Sequence, residues 1–60
     1  MITLIFTDGT EVKTRCKTAA SAISKALQVN PVKGSIADTK MMMNGTVFGV
    51  IKDSCTWVAV

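Results

Sequence analysis

Lys40-Met41-Met42-Met43-Asn44-Gly45-Thr46-Val47-Phe48-Gly49-Val50-Ile51 is the stretch on which the fold of this 60-residue chain turns. Asn-Gly suits the two left-handed positions of a type I′ turn, whose twist matches that of the antiparallel strands it joins. The residues on either side are methionine, β-branched or aromatic, so the pattern predicts a hairpin with strands over 36–43 and 46–52. In that register Met41 faces Phe48 and Thr39 faces Val50. Asp53-Ser54 then reverses the chain into a third strand over 55–60, with Val50 facing Trp57 and Phe48 facing Ala59.

Side chains alternate along a strand, so this meander has two apolar faces. Met41, Phe48, Val50, Trp57 and Ala59 form the face expected to meet a helix. Met42, Val47, Ile51, Val58 and Val60 form the other. An antiparallel sheet with one face in water needs only one apolar face. Two readings follow: the N-terminal segment folds across the second face as a small sandwich or partly closed barrel, or that face is an apolar interface for a partner or a second copy.

Upstream, Ile2, Leu4 and Phe6 alternate with Thr3, Ile5 and Thr7, and Val12, Thr14 and Cys16 alternate with Glu11, Lys13, Arg15 and Lys17. A two-residue Asp8-Gly9 loop would set Leu4 against Lys13 and mix apolar with charged side chains. A three-residue loop, Thr7-Asp8-Gly9 with Gly9 left-handed, pairs Leu4 with Val12 and Ile2 with Thr14, and is the register expected. Thr18 can cap a helix whose stripe is Ala19, Ala22, Ile23, Ala26 and Leu27, with Ser21, Ser24 and Lys25 turned to solvent. Asn30-Pro31 ends it, and a loop around Lys33-Gly34-Ser35 leads into the meander. The expected fold is a single α+β domain over residues 1–60, in the order ββαβββ.

The chain has no histidine and only four carboxylates, Asp8, Glu11, Asp38 and Asp53. Acid–base catalysis near neutral pH draws on histidine or on a carboxylate with a raised pKa, and so small a domain encloses little of the apolar volume that raises one. A non-enzymatic protein is expected, with no catalytic residues and no cofactor. Cys16 and Cys55 are too few for a structural zinc site or a disulfide framework, and read as small buried apolar residues. Charges or turn residues interrupt every apolar run before the roughly 20 residues of a membrane-spanning helix. Residues 1–6 lack a basic leader and stop at Thr7-Asp8-Gly9-Thr10, so a cytoplasmic protein without a signal peptide is expected.

Seven basic residues give a net charge of +3, and three of them cluster. Alternation places Lys13, Arg15 and Lys17 on the solvent face of the second strand, at steps of about 6–7 Å, which suits an acidic protein or successive nucleic-acid phosphates. Phe6, Phe48 and Trp57, the three aromatic residues, are all assigned inward, so base stacking has little support. Met41-Met42-Met43 cannot converge on one metal because Met42 points opposite to its neighbours. Gly45 to Gly49 has a phosphate-loop look, but no lysine follows, and Gly49 reads instead as a relief of crowding opposite Val58 or as a bulge.

The run Ile2-Thr3-Leu4-Ile5-Phe6-Thr7-Asp8-Gly9-Thr10-Glu11-Val12, followed by Thr18 and the helix to Leu27, resembles the first half of β-grasp domains, among them ubiquitin-like sulfur carriers and the regulatory domains of threonyl-synthetase type. The resemblance implies a module of a larger assembly. Sulfur carriers end in Gly-Gly whereas this sequence ends Trp57-Val58-Ala59-Val60, so it does not imply carrier activity. Residues 18–43 also resemble a helix-turn-helix, with Pro31 and Gly34 where the recognition helix should begin. The expectation that best joins size, missing catalytic groups and two-sided sheet is a binding protein acting by protein–protein contact. An inhibitor or regulator of a host protein, of the kind phages and mobile elements encode, fits that expectation, as does a homodimer. Nucleic-acid binding by Lys13, Arg15 and Lys17 is the alternative.

Overall fold

The structure, a computed structural model, describes residues 1–31 and 34–60. Two strands, β1 (Thr3–Ile5) and β2 (Glu11–Lys13), precede the helix α1 (Ala19–Val29), and three follow it: β3 (Lys40–Met43), β4 (Thr46–Ile51) and β5 (Trp57–Ala59). All five form one antiparallel sheet in the order β2-β1-β3-β4-β5. The α+β class and the ββαβββ order are as expected. Part of the loop expected around Lys33 lies outside the described residues. Residues 40–43, the end of the segment resembling a helix-turn-helix, are strand.

The first hairpin has the register its side chains require. Leu4 faces Val12, and the Thr14 N–H donates to the Ile2 carbonyl at 3.0 Å. Phe6 N–H reaches the Thr10 carbonyl at 2.8 Å, leaving Thr7-Asp8-Gly9 as the loop. Gly9 has φ 94°, a conformation that costs an L side chain steric strain, and the Asp8 carboxylate accepts from Thr10 N–H at 2.9 Å. The Thr14 hydroxyl, buried, donates to the Ile2 carbonyl at 2.6 Å and accepts from Cys16 N–H at 3.2 Å, carrying the strand's order past its last ladder pair.

The hairpin does not fold across the meander. It extends the sheet sideways, β1 lying antiparallel to β3 with Leu4 opposite Met41. The sandwich and barrel readings are thereby overturned. One face of the sheet takes the helix, and the core between them is Ile2, Leu4, Phe6, Ala22, Ile23, Ala26, Ile36, Met41 and Ile51. Alanine supplies two of the three buried helix positions, so α1 lies close to the sheet but adds little buried area.

Thr18 caps α1, its hydroxyl accepting from Ser21 N–H at 3.2 Å, and Asn30 closes the other end. Leu27, expected in the buried stripe, is 47% exposed. It lies roughly 100° round the helix from Ala26, beyond the arc that faces the sheet, and Val29 on the opposite flank packs there instead. Lys25 is half-buried, not turned fully to solvent.

Asn44 (φ 54°) and Gly45 (φ 79°) form the expected left-handed pair. Beyond the turn the register departs from expectation. Met42 faces Val47, but Met41 faces Gly49 and Lys40 faces Val50, with a bulge between. Phe48 is the additional residue. From there every β4 side chain changes face, so Ile51 enters the core with no exposure and Val50 turns outward. Ile51 therefore does not belong to the open face. β5 follows with Trp57 opposite Ile51, Val58 opposite Val50 and Ala59 opposite Gly49.

The third strand begins at Lys40, later than expected, because Ile36–Thr39 forms a turn. Thr39 N–H donates to the Ile36 carbonyl, and Asp38 takes φ 68°. β5 likewise begins at Trp57, because Asp53 organises the preceding turn. One carboxylate oxygen accepts from Cys55 N–H and Thr56 N–H, both at 2.8 Å, and from the Cys55 thiol at 3.3 Å.

These bonds hold the Asp53 carboxyl down at about 2, led by the Cys55 N–H and followed by Thr56, from an ordinary 3.8. A depressed folded-state pKa contributes stability above the unfolded value, which is lost as pH falls through the folded one. The β4–β5 turn should therefore stay ordered above about pH 4 and loosen toward pH 2. The amide resonances of Cys55 and Thr56 should titrate with a midpoint near the 2 of Asp53; a midpoint near 4 would mean that those bonds are absent in solution.

Candidate functional site

Among the described residues only one sheet face is covered, which leaves three surfaces available to a partner: the outer face and the two sheet edges. On the outer face Glu11, Ile5, Lys40, Val50 and Val58 form one row across the strands, and Lys13, Thr3, Met42 and Val47 the next. The half over β1 and β2 is polar and charged. The half over β4 and β5 is apolar, made by Met42, Val47, Val50, Val58 and Val60, with Lys40 at its rim. Val58 and Val60 are 52% and 79% exposed. The expected apolar set is thus present with Val50 in place of Ile51. The exchange follows from the bulge, which Gly49 marks in the sequence.

The apolar half runs to the free edge of β5. Lys52 N–H donates to the Thr56 carbonyl and Val60 N–H to the Phe48 carbonyl, so the even-numbered residues bond to β4. Alternation then turns the N–H and C=O groups of Trp57 and Ala59 outward, without a ladder partner. No residue of Trp57–Ala59 is charged. Natural edge strands are blunted by charge, proline, a bulge or shortness; β5 has no charge, proline or bulge, and only its three-residue length limits it. The Trp57 ring lies over Gly49 on the helix side and meets Phe48 edge to face, ring centroids 5.8 Å apart at 81°.

The opposite edge is cationic. Lys13, Arg15 and Lys17 do not line a continuous strand face, since β2 ends at Lys13. They run along the edge and the segment leading to α1. With Lys25 and Ser21 from the flank of α1 they border a hollow of about 700 Å³, open to solvent, with Thr14 and Cys16 in its wall. No carboxylate among the described residues lines it. Among the described residues the one ion pair is Lys52 with Asp38, at 4.0 Å and largely exposed, so it neutralises none of these four cations. Sequence periodicity missed Lys25 because a flank position, neither on the buried arc nor opposite it, gives no pattern of its own.

The cysteines differ from expectation. Cys16 is half-buried against the core, but Cys55 is exposed, and both are free thiols. The Asp53 carboxylate, by hydrogen bond first and charge second, pushes the Cys55 thiol up, away from the thiolate form that reacts. No group of three or more potential metal ligands occurs among the described residues, and no helix there is long and apolar enough to cross a membrane. Comparison with protein-family models, with curated proteins and with solved structures finds no match.

Proposed function

We propose that this chain is a small non-enzymatic binding protein that acts by protein–protein contact, as an inhibitor or regulator that occupies a partner's surface, and that it pairs with a second copy of itself. The observation that carries this reading is the free, uncharged β5 edge, continuous with the apolar half of an uncovered sheet face. Two such edges, paired antiparallel about a two-fold axis, satisfy the outward groups of Trp57 and Ala59 and bring Val58 and Val60 of both copies together. The β2 edge carries Glu11 and Lys13 on the strand and Arg15 and Lys17 just beyond it, so it lacks the uncharged surface that β5 offers.

Val58→Lys tests the pairing. Val58 is half in water, so the folded monomer should keep its melting temperature within a few degrees, since exposed substitutions cost within about 0.5 kcal/mol. The dimer should dissociate. A variant that still elutes with the unsubstituted protein would place the contact elsewhere.

The competing reading, nucleic-acid binding, gains Lys25 as a fourth cation beside Lys13, Arg15 and Lys17. It gains no aromatic side chain for bases to stack on, because none borders the hollow.

A further inference from the structure

We infer that the hollow between the free edge of β2 and the flank of α1 binds an extended, acidic segment of a partner protein, which adds to the sheet as a sixth strand beside β2. This inference rests on the protein-binding reading and uses the sheet edge opposite to the one that self-associates.

Two independent features meet at the site. The first is backbone chemistry. Thr14 N–H and Phe6 N–H fix the hydrogen-bonded pairs of the first hairpin, so Thr10, Val12 and Thr14 turn their peptide groups toward β1. Alternation leaves the N–H and C=O groups of Glu11 and Lys13 pointing away from the sheet, spaced for an antiparallel or parallel strand. A peptide satisfies alternate donors and acceptors at that spacing. A nucleic-acid backbone offers acceptors but no matching donors.

The second feature is charge. Lys13, Arg15 and Lys17 follow the edge, and Lys25 stands across the hollow on the helix. Four unneutralised cations around one open space repel each other, and carboxylates entering that space relieve the repulsion at every one of them. Glu11, the only acid of β2, is not part of the lining and lies toward the hairpin turn. The acidic residues of the incoming strand therefore sit beside Lys13, Arg15 and Lys17, and its end near Glu11 is neutral. Edge pairing supplies affinity and side-chain charge supplies choice, the division of labour usual in strand addition.

A fluorescein-labelled peptide alternating Glu and Val serves as the probe, in fluorescence anisotropy against the intact protein. It should bind, and its affinity should fall between about 50 and about 300 mM salt as the charges are screened. Methylating alternate backbone nitrogens of the peptide, which keeps its charge and removes its edge hydrogen bonds, should abolish binding. R15A with K25A should weaken binding roughly 5- to 10-fold, as expected for two partly exposed ion pairs. The same variant should leave the self-associated mass unchanged, which separates failure here from failure of the β5 contact. Circular dichroism of R15A/K25A, unchanged, confirms that the fold is intact. Equal binding of the methylated peptide would reduce the site to loose counter-ion contact and overturn strand addition. Binding of oligothymidylate or a short DNA duplex in preference to the Glu-Val peptide would assign the cations to nucleic acid, and no binding of any probe would likewise overturn the inference.

Discussion

Leu4→Ala should leave the protein largely unfolded at 25 °C. Leu4 has no solvent exposure and sits on β1 between Val12 of β2 and Met41 of β3, at the centre of the layer that α1 covers. Truncating a fully buried leucine costs about 2–5 kcal/mol, the lost transfer energy plus the cavity left behind. A core in a domain below about 70–80 residues supplies rarely more than about 3–5 kcal/mol, and here neither a disulfide nor, among the described residues, a metal cluster adds to it. The neighbours cannot close the cavity easily, because the helix residues above the sheet are mostly alanine. Urea unfolding followed by circular dichroism measures the loss directly. A variant within about 1 kcal/mol of the unsubstituted protein would mean that the helix–sheet layer is not the core.

Gly49→Val should cost about 2–3 kcal/mol, the upper part of the range for overpacking. A Cβ at position 49 would come to 2.5 Å from Cε3 and 2.7 Å from Cζ3 of Trp57, and to 3.2 Å from Cε of Met41. The methionine can give way. The indole ring can do so only by leaving Phe48 and lifting from the sheet, and β5 is an edge strand of three residues with no second neighbour to retain it. Gly49→Ala should cost less, about 1–2 kcal/mol. Trp57→Ala removes the obstructing ring, so adding Gly49→Ala in that background should cost little, giving a coupling of about 1 kcal/mol in a double-mutant cycle. Additive effects would mean that the ring does not lie over Gly49. The near-ultraviolet signal of Trp57 should weaken in either Gly49 variant, since the ring loses its ordered contact.

The two predictions concern regions that the sequence revealed unequally. The first hairpin was legible down to its register, because only the three-residue Thr7-Asp8-Gly9 loop keeps Ile2, Leu4 and Val12 on one face. The Thr18 cap and the Asn44-Gly45 turn were equally plain, each being a local choice with a local chemical cause. The bulge at Phe48 is one of two uses that Gly49 suggests, and its consequence for the faces is not written in the local pattern. A single additional residue exchanges Val50 for Ile51 between core and open face, and period-two alternation carries no marker for that exchange. The larger size of Ile51 and the absence of a side chain at position 49 are the two signs that point to it.

The hairpin's place beside β3 instead of across the sheet was also beyond local patterns. It depends on Leu4 meeting Met41, a contact between segments separated by the helix. The basic cluster was visible as Lys13, Arg15 and Lys17, but its shape was not. It became a hollow only when α1 brought Lys25 and Ser21 alongside, and its open backbone edge follows from β2 being last in the sheet order. Cys55 departs from the expected buried strand position because Asp53 holds it in the turn.

The two edges of this sheet have opposite chemistry, one uncharged and apolar, the other cationic, and that difference decides which edge self-associates. Light scattering behind a sizing column, at micromolar protein and at about 0.05 and about 0.5 M salt, tests it most directly. An association through the β5 edge has no charge to screen, so the mass should be twice that of the 6.4 kDa chain at both salts. A 6.4 kDa species at both, or a dimer that dissociates at the higher salt, would contradict it.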